Sequence, residues 1–211
     1  MAKPRLRRQH ARGYTFVELL MSLLIFSIGV SGVIAMQKVT VTSNQHAKDL
    51  AIATQIAQAW IDQLHADAIA WNHPSVFQAT DDLADTDWLK TVPKTAKDWV
   101  RPDYVAARRF GPAFDVQGNP LDISAGAGTN VKFCTHIRLS WLYQPSAPGS
   151  TLTGNGLVRA EVRVFWLRDG RAWPNGRSIC DTTQDTAAIG SDVSRYHFVY
   201  NVSAVRENTA Q

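Results

Sequence analysis

The chain has 211 residues, with 22 Lys and Arg against 18 Asp and Glu, a formal charge of +4 and a pI near 9.2. That length suits one domain of ordinary size plus an accessory segment. The charge excludes a basic binding face: Lys3, Arg5, Arg7, Arg8 and Arg12 all precede the first apolar run, and the rest of the chain holds 17 basic against 18 acidic side chains, so no nucleic-acid partner is expected.

Residues 14–36 come next as "YTFVELLMSLLIFSIGVSGVIAM", long enough as a helix to cross a hydrocarbon core of about 30 Å. The basic leader before it belongs on the cytoplasmic side and the chain beyond Met36 on the other. The one formal charge in this run is Glu18, and a carboxylate in lipid costs at least roughly 2.5 kcal/mol unless it is paired or held at the interface. A secretory signal would end in a small-residue cleavage site after the apolar core. Here the conspicuous small residue is Gly13, before it. Cutting there removes the charges and keeps the helix.

These residues resemble the type IV pilin superfamily, with its class III signal: a short basic leader, Gly13, an aromatic at Tyr14, Thr15, Glu18 and a long apolar helix. The resemblance implies that a prepilin peptidase cleaves after Gly13 and N-methylates Tyr14. Tyr14 stands where phenylalanine is more usual. The continuation looks most like minor pilins of the PilV type, with the minor pseudopilins of type II secretion as the nearest competitor. The resemblance also implies that Glu18 pairs with the N-terminal amine of a neighbouring subunit, cancelling two charges in a dry filament core; the alternative is that it snorkels to the headgroups. Gly29 and Gly32, with Ser27 and Ser31 beside them, either permit close helix approach or reflect ordinary tolerance of small residues in membrane helices.

The helical pattern continues past Met36, with no Pro or Gly from Val33 until Pro74. Ala47, Leu50, Ala53, Ala57, Ile61, Leu64 and Ala68 form an apolar stripe at helical spacing. A helix from Thr15 to about Trp71 would be roughly 85 Å long, only its first third within a membrane. Residues 73–130 are irregular, with short helical pieces expected around Asp81–Leu89.

Three strand signals complete the chain. Val131–Tyr143 alternates Val131, Phe133, Thr135, Ile137, Leu139 and Trp141 against more polar neighbours. Leu157–Leu167 places Val158, Ala160, Val162, Val164 and Trp166 against Arg159, Glu161 and Arg163, and Asp169-Gly170 reads as a tight turn after it. Ser194–Val205 is expected to turn Tyr196, Phe198, Tyr200 and Val202 inward. The result is an antiparallel sheet with one face against the helix. Cys134 and Cys180 are a candidate disulfide if this part lies outside the cytoplasm, stapling the first strand to the loop before the last; two separate buried thiols are the alternative.

No catalytic or metal constellation is found: there is no G-x-S-x-G, H-E-x-x-H or phosphate-cradling loop, and "GAGTN" is a lone Gly-rich turn. The six His residues, His10, His46, His65, His73, His136 and His197, are scattered. His136 and His197 are expected as a surface pair across the sheet, not as metal ligands. Trp141 and Trp166 read as core, while Trp71, Trp88, Trp99 and Trp173 either anchor loops or make subunit contacts.

The whole reads as an α+β protein of pilin-like class, with a long N-terminal α-helix, transmembrane in its first half, packed on an antiparallel β-sheet. Residues 1–13 are the leader, 14–36 the membrane and filament-core helix, 37–72 its amphipathic continuation and 73–211 the globular head. The expected role, implied by the resemblance, is a minor pilin that primes assembly or sits at the tip of a type IV pilus serving twitching motility and adhesion. It would be an inner-membrane precursor with a periplasmic head, using no cofactor. Its partners would be the prepilin peptidase, other minor pilins and the major pilin. The alternatives are a pseudopilin of a secretion or DNA-uptake filament, and, from another class, a membrane-tethered enzyme or sensor.

Overall fold

The computed structural model describes residues 13–71, 82–92, 98–123, 130–143, 156–168, 179–181 and 186–207. The basic leader with His10, and His73, Asp169-Gly170, Trp173 and most of "GAGTN", lie outside the described residues. Two units are distinguished, one ending at Ala47 and one beginning at Lys48.

Helix α1 runs from Phe16 to Asp67. Over residues 16–36 of the first unit it is apolar on every side apart from Glu18 and exposed on every side, which suits a helix surrounded by lipid or by other helices. The serine hydroxyls inside the apolar run are satisfied locally. The hydroxyls of Ser22, Ser27 and Ser31 donate to the carbonyls of Leu19, Leu24 and Ile28 at 2.8–2.9 Å, so they add little polarity to the helix surface.

In the second unit the same helix becomes amphipathic. Ala53, Ile56, Ala57, Trp60, Ile61, Leu64 and Ala68 are buried at spacings of three and four, one stripe of a 3.6-residue helix. The stripe expected from the sequence is corrected at its upper end: Leu50 is 45% exposed and Ala47 is exposed, while Ile56 and Trp60 join the buried face. Burying each such large aliphatic side chain contributes roughly 1.5–3 kcal/mol.

The sheet has five antiparallel strands in the order β2-β1-β3-β4-β5, where β1 is Ala113–Phe114, β2 Pro120–Leu121, β3 Phe133–Tyr143, β4 Leu157–Leu167 and β5 Tyr196–Arg206. The turn between β1 and β2 needs Gly118, whose φ is +86°, and the Asp115 carboxylate caps it by accepting from the Gln117 and Asn119 amides. Ile137, Leu139, Val158, Ala160, Val162, Val164, Trp166 and Val205 meet the helix stripe. Trp60 stands edge-on to Trp88 and Phe110, with centroids 5.2 and 4.8 Å away, and Trp71 is edge-on to Trp141. Trp71 and Trp88 are therefore loop anchors in the core, buried to within 2%.

Two further expectations are corrected here. The sheet is covered on both faces: Ala113, Cys134, Phe165, Ile179, Cys180, Ile189 and Tyr196 form a second cluster away from α1. Helix α2 (Thr186–Ser191) contributes Ile189 to it. As a result Glu161 and Arg163, read as the polar side of β4, are buried. The facing of β5 is also reversed. Val199 and Val205 meet the helix-side core, Tyr196 and Phe198 belong to the second cluster, and Tyr200 and Val202 on that same side are 55% and 53% exposed. The short helical pieces near residue 82 are 3-10 turns, Asp82–Asp85 and Leu89–Thr91.

A buried carboxylate ties the end of α1 to the second of these turns. Asp67 Oδ1 accepts from the Asp87 amide at 2.8 Å, and Oδ2 accepts from Trp88 and Leu89 at 2.9 and 3.0 Å. Arg108 Nη2 reaches Oδ1 at 3.2 Å, and its Nε pairs with Asp87. Trp88, at the start of the turn, has no capping side chain of its own, so Asp67 supplies the cap from a distance. At the other end of this stretch, Lys132 Nζ donates to both Asp49 oxygens at 2.6 and 2.7 Å.

Candidate functional site

The first turn of α1 gathers the residues that the sequence singles out. Gly13 lies in the open, with nothing within 4 Å of where a Cβ would stand, and Tyr14 is 85% exposed. Thr15 is the residue before the first helical position, and its Oγ1 accepts from the Glu18 amide at 3.3 Å. "TFVE" thus has the spacing of a capping box, with Thr at the cap and the acid three residues on. The box explains why the helix starts at Phe16 and keeps Glu18 one turn inside. There the carboxylate complements the positive pole of the helix. Among the described residues it has no ion-pair or hydrogen-bond partner, and its helical neighbours Val17, Leu19, Met21 and Leu24 present an apolar surface.

Two demands therefore meet in one turn. The segment is long and apolar enough to cross a membrane, by length and composition, and it carries one acid that an apolar environment would oblige to find a positive partner. Cutting after Gly13 would place a new amine two residues before the helix, where the helix pole disfavours a positive charge. Residues 8–34 match the family described as the prokaryotic N-terminal methylation motif. That motif supports a type IV pilin-like protein. No curated protein and no solved structure matches the chain. A long apolar N-terminal helix followed by an antiparallel sheet is the pilin-like α+β architecture. The motif implies processing by prepilin peptidase and assembly with pilus components, and it points to a structural rather than a catalytic protein.

The remaining candidates sit in the second unit. Cys134 and Cys180 form a disulfide with their Cα atoms 5.3 Å apart, tying β3 to the segment at Ile179–Cys180. His136 and His197 do not form a pair: His136 lies opposite Arg163 on the side away from α1, whereas His197 lies opposite Trp166 on the helix side. His136 is also not at the surface. Its Nδ1 accepts from Arg163 Nη2 at 2.8 Å. Burial, with the Arg163 and Arg101 charges adding to it, pushes its pKa down to about 3. A neutral imidazole is what an arginine donor requires. Among the described residues, no three His, Cys, Asp or Glu side chains are grouped to hold a metal.

Sequence reasoning missed Arg163. Its guanidinium lies 4.6 Å from the Trp99 ring centroid, donates to the Thr186 carbonyl at 2.9 Å, and sits close enough to Gly190 that a Cβ there would fall 2.5 Å from Nη1. Burial lowers its pKa, opposed by Tyr200. Beside it, Glu161 pairs with Arg138 and with Arg159. The network fixes Trp99 and α2 over the sheet. In the sequence it looks like an ordinary alternation of charged residues on a solvated face.

Proposed function

We propose that this chain is a minor pilin of a type IV pilus, of the PilV type, which primes assembly or forms part of the tip complex. It is made as an inner-membrane precursor, cleaved after Gly13 and methylated at Tyr14. Its partners are the other minor pilins, the major pilin and the prepilin peptidase, and its work is packing and charge pairing. The observation that carries the reading is the lone Glu18 within the matched N-terminal methylation motif, in a run of residues 16–36 that is otherwise uncharged and exposed all round. The amine released at Tyr14 on a neighbouring subunit is the partner that the carboxylate lacks. Pairing cancels both charges in a dry core, so breaking it would strand one of them at a cost of roughly 3–5 kcal/mol.

Intact mass of the membrane-bound chain tests the processing. The expected product lacks residues 1–13 and carries one added methyl group; an uncut N-terminus overturns the reading. Filament recovery tests the rest. Glu18→Ala is expected in the membrane at wild-type level but absent from sheared pili, whereas wild-type recovery of the variant would refute the pairing. A processed wild-type chain that never appears in sheared pili belongs to a secretion or DNA-uptake pseudopilus instead.

A further inference from the structure

The two edges of the sheet are built differently. At one end, β2 has only two residues and contains Pro120, which has no N–H to offer a further strand. At the other, β5 pairs with β4 in an unbroken register from Leu157↔Arg206 to Leu167↔Tyr196. The ladder continues past both ends: the Glu207 amide donates to the Gly156 carbonyl, and the Arg168 amide to the Arg195 carbonyl. Residues 195 and 207 therefore turn their backbone groups toward β4, and the alternation of an antiparallel pair gives the same role to every odd residue between them. The even residues turn their N–H and C=O groups to the free side. From Phe198 through Tyr200, Val202 and Ala204 to Arg206, these groups meet no further strand among the described residues. Edges of natural sheets are guarded by charges, Pro, bulges or short length. Residues 198–205, "FVYNVSAV", contain no charged residue and no Pro, and the strand has no bulge.

The same even residues carry their side chains on the face away from α1, where Tyr200 and Val202 are 55% and 53% exposed. Toward Arg206 this face has more cations than anions. Arg138 and Arg159 each take one oxygen of Glu161. Arg206 is exposed and has no ion pair among the described residues. Arg159 lies directly across from Ala204, whose methyl group covers little of it, and its side chain is 49% exposed. A strand laid against β5 would set its residue opposite Ala204 beside Arg206, and two strand spacings, about 10 Å, from Arg159. A guanidinium and a carboxylate side chain span that gap together. We infer that the free edge of β5 takes an extended acidic segment of another polypeptide, added antiparallel, with a carboxylate opposite Ala204. Main-chain hydrogen bonds supply the attachment, and the two arginines set its sign by favouring an acid and repelling a basic strand.

The probe is a short fluorescent peptide alternating Val and Thr, with two neighbouring Thr positions changed to Glu or to Lys. It is titrated onto the full chain in detergent and read by fluorescence anisotropy. The Glu peptide is expected to bind roughly tenfold more tightly than the Lys peptide. Arg206→Glu, an exposed change, should bring the two within about threefold and leave the melting curve unchanged. In an antiparallel addition the amides of the two Glu residues face β5, whereas those of the Val residues face away. N-methylation of the Glu residues should therefore abolish binding, and N-methylation of the Val residues should leave it intact. Val202→Pro removes an outward N–H and no bond to β4, and should weaken both peptides alike. Equal affinity for the Glu and Lys peptides overturns the proposal, as does the absence of saturable binding by either. Indifference to both methylations overturns it too, because the contact is then ionic alone. Self-association of the full chain that Val202→Pro dissolves gives the edge to a second copy, and refutes the acidic segment as its occupant.

Discussion

Replacing Asp67 by Ala should loosen the whole second unit. The carboxylate is fully buried and accepts three backbone N–H groups and one guanidinium N–H. Truncation leaves the amides of Trp88 and Leu89, both buried, without an acceptor, and leaves Arg108 with Asp87 as its remaining carboxylate. An unsatisfied buried donor costs roughly 1–3 kcal/mol, and breaking a buried charged pair roughly 3–5. These overlap, so the expected loss is about 4 kcal/mol, a large share of the 5–15 kcal/mol that holds a typical domain together. For a unit of this size the melting temperature should fall by roughly 10 °C, at 2–4 °C per kcal/mol. Thermal unfolding of the full chain in detergent, followed by tryptophan fluorescence, reads the change, because Trp60, Trp71, Trp88 and Trp166 are buried together in one core. Asp67→Asn, which keeps one acceptor oxygen, should fall between wild type and Ala. If Asp67→Ala melts within about 2 °C of wild type, roughly 1 kcal/mol or less, the remote-cap argument is wrong.

Removing both cysteines as Ser, in one double variant, opens a closed loop with a sequence separation of 46 residues; the chain-entropy model puts the loss at about 4 kcal/mol, measured by the same melt with and without reductant. The pH dependence carries its own signature. His136 has a folded pKa of about 3 against an ordinary value of 6.5, so between those values the unfolded chain binds a proton that the folded chain does not. Stability is therefore full above about pH 6.5 and declines as pH falls toward 3, by up to about 1.4 kcal/mol per pH unit from this one group. His136→Gln keeps an acceptor for Arg163 and should flatten that part of the profile, as read from melts taken from pH 4 to 7. A variant with an unchanged slope would show that His136 does not titrate on unfolding.

The long helix and three long strands were legible because their periods are strong. Twenty-three residues almost without charge admit few structures, and β4 obeys a strict alternation on its helix side. The facing of β5 was not legible, and the reason is physical. Its larger apolar residues, Tyr196, Phe198, Tyr200 and Val202, share one side, and a sheet with a single buried face would turn that side inward. Here the second face has a core of its own, which takes Tyr196 and Phe198. The other side of β5 is more polar, but Asn201 and Ser203 meet Gln58 and His65 on α1. Polar positions on two elements satisfied each other, a match that neither element reveals alone. Leu50 misled for a similar reason: spacing put it on the stripe, and only the extent of the sheet decides where the stripe ends. At the N-terminus the motif residues were plain, whereas the role of Thr15 as a cap emerged once the helix start was fixed at Phe16. Asp67 gave no signal beyond a lone acid near a helix end.

The disulfide divides the labour of folding between two chemistries. The core against α1 needs only water to drive it together, and none of its residues is a cysteine. The cluster on the far face is fastened by a covalent clasp between β3 and Ile179–Cys180, and such clasps close only where oxidants outcompete cellular thiols. Without an oxidant the chain would keep a finished helix-side core and an unlatched far face.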